Sequence, residues 1–147
     1  MLLNEVLNST IPYKITHKSN DQFIAEFRVL TNVYEVEGIK FKALHNTPEF
    51  WSIEFGIINT DGDGNPLEDD DSARKMGVER TGGEFTVFAA VVDICKFFVT
   101  TYQPSMVVLS ADTTSRQRLY KRLCNTFFKD WSLSNPNPNT FHLIRKS

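Results

Sequence analysis

Cysteine is almost missing from this chain: Cys95 and Cys124 are the only two. Two cysteines cannot supply the dense disulfide framework of a small secreted domain. Both stand among apolar neighbours on predicted helices, so they are expected to be buried thiols rather than nucleophiles or metal ligands. Histidine is scarce as well. His17, His45 and His142 fall in unrelated predicted elements, and without a His/Cys/carboxylate cluster neither a metal site nor a histidine-based triad is expected. Long apolar runs are missing too. A membrane helix needs about 20 apolar residues, and the longest run, Val87 to Val99, is interrupted by Asp93 and Lys96. The opening Met1-Leu2-Leu3-Asn4-Glu5 lacks the charged and apolar regions of a signal peptide. These absences together predict a reduced intracellular protein with no membrane association.

No sign of charge dominates, the net charge being −2. The distribution is uneven, however: residues 1–80 carry 14 acids and 8 bases, and residues 81–147 carry 4 acids and 8 bases. A basic half can mark a binding face, although an excess this small does not argue strong nucleic-acid binding.

What is present is an ordinary globular composition. The 147 residues are 41% apolar and 23% charged, with 12 Phe, enough for one domain with a Phe-rich core. We divide that single domain, residues 1–147, into three parts. Residues 1–58 read as an antiparallel meander, 59–75 as an acidic loop, and 76–147 as a strand-helix-strand-helix-strand unit. Leu2 to Leu7 suits a short helix. Ile11, Tyr13 and Ile15 alternate with polar neighbours as a first strand, followed by a turn at His17 to Asp21. Phe23, Ala25, Phe27 and Val29 mark a half-buried second strand. Val33 to Phe41 is a third, in which Gly38 suggests a bulge or a bend. After a turn at His45 to Pro48, Phe50 to Ile58 forms a fourth, with Phe50, Ser52 and Glu54 on one face and Trp51, Ile53, Phe55 and Ile57 on the other.

In the loop, Asp61, Asp63 and Asn65 have the spacing of the first half of a calcium loop. Pro66 and Ser72 stand where that loop needs its glycine and its bidentate acid, so the segment reads as a solvated hairpin loop. The last unit carries the organisation of the chain. Met76 to Arg80 suits a strand. Gly82-Gly83 makes a turn, with Glu84 at the positive end of a helix running to Tyr102. Only Thr86, Asp93, Lys96 and Thr100 form a polar stripe on that helix, which must therefore be covered on most sides. Met106 to Ala111 is a short apolar strand expected at the centre of the sheet, parallel to its neighbour. Asp112, Thr113, Thr114 and Ser115 offer cap oxygens to an amphipathic helix. That helix turns Leu119, Tyr120, Leu123, Cys124 and Phe127 inward and Arg116, Arg118, Lys121, Arg122 and Lys129 outward. Trp131 to Asn139, with two Asn-Pro steps, reads as a loop, and Thr140 to Arg145 as a closing strand.

This order resembles the GNAT N-acetyltransferase fold, an α+β arrangement with a mixed, mainly antiparallel sheet and two packed helices. The family's Gln/Arg-x-x-Gly-x-Gly/Ala turn falls on Arg80, Gly83 and Phe85. The resemblance implies that Arg80, Gly82 and Gly83 would hold the pyrophosphate of acetyl-CoA at a helix N-terminus. Phe85 departs from the pattern, because a bulky residue stands where close backbone approach is wanted. The family's Asn-x-x-Ala-x-x-Leu-Tyr falls on Thr113, Arg116, Leu119 and Tyr120, and implies Tyr120 as general acid to the departing thiolate. The family's two helices after the first strand have no counterpart here. A second resemblance is to a group of uncharacterised bacteriophage proteins. It rests on Thr-Gly-Gly…Val-Phe-Ala-Ala-Val-Val-Asp-Ile, on Leu-Ser-Ala-Asp…Ser-Arg-Gln-Arg-Leu-Tyr-Lys-Arg-Leu and on Thr-Phe-His-Leu-Ile-Arg-Lys. It brings no known activity, and implies the host cytoplasm or the virion as location.

Three functions are therefore expected in descending order. The first is a phage accessory or structural protein that acts through protein contacts and needs no cofactor. The second is an acetyl-CoA-dependent N-acetyltransferase built on Arg80, Gly83 and Tyr120. The third is nucleic-acid binding through Arg116, Arg118, Lys121 and Arg122. Asp112 with Ser110 and Ser115 stands at a strand end, where helix capping is the simpler role.

Overall fold

A computed structural model describes residues 12–29, 32–57, 84–111 and 113–146. The expected helix over Leu2 to Leu7, the acidic loop, the Met76–Arg80 strand and Asp112 lie outside the described residues. Within them the chain forms β1 (Tyr13–Lys18), β2 (Gln22–Val29), β3 (Asn32–Phe41), β4 (Phe50–Ile57), α1 (Glu84–Tyr102), β5 (Met106–Ser110), α2 (Thr114–Thr126), β6 (Ser132–Asn137) and β7 (Thr140–Ile144). The strands make one mixed sheet in the order β1-β2-β3-β4-β5-β7-β6. Every junction is antiparallel except β4–β5, which is parallel because α1 carries the chain back between them. The class is α+β.

Strict alternation in β2, β3 and β4 sends Phe23, Ala25 and Phe27, Tyr34 and Val36, and Trp51, Ile53 and Phe55 to one face. Val107, Leu109, Phe141 and Leu143 continue that face across β5 and β7, and both helices cover it. The core is aromatic. Phe27, Tyr34 and Phe55 stack at centroid distances of 5.1 to 6.3 Å. Phe23 meets Trp51, Phe97, Phe98 and Tyr102 at 5.4 to 6.4 Å. Helix α1 has its expected polar stripe, Thr86, Asp93, Lys96 and Thr100 all keeping some exposure. Its expected cover is α2, whose Arg122 guanidinium lies 4.4 Å from the centre of the Phe88 ring. The helix ends where Gln103 turns left-handed (φ 47°) and donates its N–H to the Val99 carbonyl, one residue before Pro104.

Three expectations need correction. His17 and Lys18 belong to β1 rather than to the turn, since a register shift after Ile15 absorbs the extra residue. Gly38 is not a bulge, because the β2–β3 register runs through it unbroken and pairs it with Phe23. Ser132 to Asn137, expected as loop, forms edge strand β6. The edge tolerates Pro136 because no described strand lies beyond it to need that missing N–H, and the register shifts between Ser134 and Asn137.

The two thiols are buried as expected. Desolvation raises Cys95 to about 12 and Cys124 to about 11. Neither should react with iodoacetamide at pH 8 in the native protein, and both should react once denaturant unfolds it. Mass spectrometry reads the result, and native labelling at Cys95 would contradict this packing. From the ordinary value of 9.0 up to about 11 and 12, the unfolded chain has lost thiol protons that the native protein keeps. Stability should fall as pH rises through that window.

Candidate site at the parallel strand junction

The parallel pairing of β4 with β5 is short. It joins Trp51 to Val107, Ser52 to Val108 and Ile53 to Leu109, and stops there, although β4 runs on to Ile57. Beyond the last pair, β4 has backbone groups on its β5 edge that no described strand engages. Buried groups of this kind must find partners. Both at Phe55 do so through α2. The Phe55 N–H donates to the Tyr120 hydroxyl at 3.1 Å. The Phe55 carbonyl accepts from Arg116 Nε at 2.9 Å. One residue of β4 is thus held by two side chains a helical turn apart on α2.

Local sequence explains the placement. Thr113, in extended conformation, caps α2 by accepting the Arg116 N–H on its hydroxyl at 3.2 Å. That cap sets the phase of the helix, so Leu119, Tyr120, Leu123 and Cys124 face the sheet. Arg116 then projects across Gly56. A Cβ built on Gly56 would lie 3.6 Å from Arg116 Nη2, the nearest atom it would meet. Ala111 is tied the other way, its N–H donating to the Asn139 carbonyl at 2.7 Å.

The residues singled out in the sequence are distributed as follows. Tyr120 is 1% exposed, its hydroxyl held against a strand amide and its ring edge-on to Phe141 at 6.4 Å. It does not face an open cleft. Arg80, Gly82 and Gly83 lie outside the described residues, as do the side chains of Phe85 and Ser115. Arg116, Arg118, Lys121 and Arg122 are not one outward cluster. Arg116 and Arg122 are half-buried, one on β4 and the other on Phe88, while Arg118 and Lys121 are exposed. The helical phase that carries Tyr120 inward explains the split. Ser110 is exposed at the end of β5.

Among the described residues there is no group of three or more His, Cys, Asp or Glu side chains placed to hold a metal ion. No helix among them is long and apolar enough to cross a membrane. The pairing of Arg116 with a strand carbonyl is not visible in the sequence; its only trace there is an arginine three residues after the cap, one turn before the inward Tyr120. Comparison with family models, with curated proteins and with solved structures finds no match to this chain.

Proposed function

We propose that the chain is a bacteriophage accessory or structural protein that works through protein contacts on a GNAT-like scaffold and performs no acetyl transfer. Support for the scaffold comes from the parallel β4–β5 junction, entered through α1 and flanked by an antiparallel meander. The observation that carries the functional reading is the occupation of Phe55. In a GNAT-like sheet, an open gap between β5 and its neighbour would favour a cofactor. Here both backbone groups of Phe55, which lies beyond the last pair, are taken by Tyr120 and Arg116. A tyrosine committed to that buried bond is badly placed to protonate a thiolate. The location that goes with this reading is the host cytoplasm or the assembled virion.

Calorimetric titration with acetyl-CoA tests it. We expect no heat of binding up to millimolar cofactor. Micromolar binding that Gly83→Trp abolishes would overturn the proposal in favour of the acetyltransferase alternative. The nucleic-acid alternative is left with Arg118 and Lys121 as exposed cations of its cluster. Two phosphate contacts give a salt slope of only about −2.

A further inference from the structure

The helices cover one face of the sheet, and the other face is graded. At one end an apolar row crosses four strands. Phe41 of β3 pairs with Phe50 of β4, their rings stacked at 5.0 Å and 15°. Phe50 precedes the Trp51–Val107 pair, which sets it beside Met106, and Met106 pairs with Ile144. Phe41 is 47% exposed and Ile144 48% exposed. A second row follows, Ile39–Ser52–Val108–His142. The β3–β4 hairpin extends past the first row and closes its turn with reciprocal Leu44–Thr47 backbone bonds of 3.0 and 2.7 Å, leaving Leu44 70% exposed.

Next to these rows the same face becomes acidic. Glu37 pairs with Glu54 across β3 and β4, and Glu26 with Glu35 across β2 and β3. Like charges directly opposed across strands destabilise a sheet, and among the described residues none of the four glutamates is in an ion pair. Lys14 faces Glu26 directly across β1 and β2, and Arg28 follows Glu26 on β2, neither at ion-pair distance, whereas Glu37 and Glu54 have no cation opposite them in register. Glu37 accepts one bond, from Gln22 Nε2 at 3.0 Å. Burial, with Glu37 and then Glu26 adding, raises the Glu35 carboxyl above its ordinary value. The negative potential of Glu37 and Glu54 beside an apolar strip makes a surface that a cationic amphipathic partner would neutralise.

We propose that this face docks an amphipathic helix of another protein, with its apolar stripe on Phe41, Phe50, Met106 and Ile144 and a lysine- or arginine-bearing edge over Glu37 and Glu54. The dimensions agree. Four adjacent strands span about 14 Å, which is between two and three helical turns. A second copy does not supply such a helix through α2, because the apolar stripe of α2 is buried in its own core. The inference rests on the protein-contact reading above and names the partner's chemistry.

The test uses a labelled helical peptide of ~18 residues with a leucine stripe and a lysine edge, and a matched peptide with glutamate in place of lysine. Binding to the full chain is followed by anisotropy at about 50 mM salt, where exposed charges are weakly screened. The lysine peptide should bind at least about tenfold more tightly. Phe41→Ser with Ile144→Ser, and separately Glu37→Gln with Glu54→Gln, should each weaken it by about tenfold or more. The second pair removes repulsion and so preserves folding, which thermal melting checks. Equal affinity for the two peptides, or binding untouched by Glu37→Gln with Glu54→Gln, overturns the proposal. So does a dimer in sedimentation that Phe41→Ser with Ile144→Ser dissociates, since the occupant would then be a second copy. The band lies on the face away from both helices. Heat with acetyl-CoA would therefore count against the non-enzymatic reading while leaving the peptide result standing, and absent peptide binding would count against this inference alone.

Discussion

Gly38→Ala should lower stability by about 1–3 kcal/mol, and Gly38→Val by more, as expected for overpacking a filled core. A Cβ at Gly38 would lie 2.2 Å from Phe23 Cε1, 2.8 Å from Phe23 Cδ1 and 3.0 Å from Ile53 Cδ1. Phe23 is fully buried and has no room to swing, since Trp51, Phe97, Phe98 and Tyr102 surround it. The backbone register cannot give either, because Phe23 and Gly38 are a cross-strand pair in an unbroken ladder. Phe23→Ala alone should cost roughly 3–5 kcal/mol. The double variant should cost clearly less than the sum, because removing the ring makes space for the new methyl group. Urea midpoints with unchanged slope read all three values. A neutral Gly38→Ala, or simple additivity with Phe23→Ala, would show that the ring does not occupy that space.

Tyr120→Phe should cost about 1–3 kcal/mol, because it removes the hydroxyl and leaves the buried Phe55 N–H without that acceptor. Tyr120→Ala should cost about 3–5 kcal/mol, since it also opens a cavity beside Phe141. Arg116→Leu removes the other partner of Phe55, a charged donor to a carbonyl, for about 1.5–3 kcal/mol. The two substitutions should couple in a double-mutant cycle, since both side chains hold one strand residue to one helix. Amide exchange at Phe55 gives a direct readout. In Tyr120→Phe its protection should fall more than that of Ile53, which lies inside the paired region. Unchanged protection at Phe55 together with unchanged stability would mean that α2 does not close this junction. Such a result would also reopen the gap to a cofactor and weaken the reading of the site as architecture.

Much of the frame is legible in the amino-acid pattern alone. Phe23, Ala25, Phe27 and Val29 alternate cleanly, as do Trp51, Ile53 and Phe55, and a period of two with one buried face admits one inward set. The helix from Glu84 to Tyr102 is legible for the same kind of reason, its polar positions recurring in one narrow stripe. The amphipathic α2 and the buried cysteines follow from their apolar neighbours. Strand β6 is hidden because Asn-Pro steps signal a turn locally, whereas an edge position removes the penalty for a missing donor. Arg116 and Arg122 read as outward because helical periodicity sorts residues by polarity. It cannot see that an arginine will reach across to a strand carbonyl or lie on a phenylalanine ring.

The candidate site shows the same division. A tyrosine at a family-like position can be named from the sequence, but its partner lies 65 residues away on another element. The apolar row from Phe41 to Ile144 belongs to the same class, since its members come from four strands and share a surface only through register. By itself the sequence determined the apolar inward set of β2 and of α2, because that depends on local period alone. The tertiary structure decided that β4 outruns its parallel partner, that Tyr120 and Arg116 close the gap, and that Gly38 makes room for Phe23. Those outcomes depend on which backbone edges remain unpaired and which side chains meet across the sheet, and no local pattern encodes either.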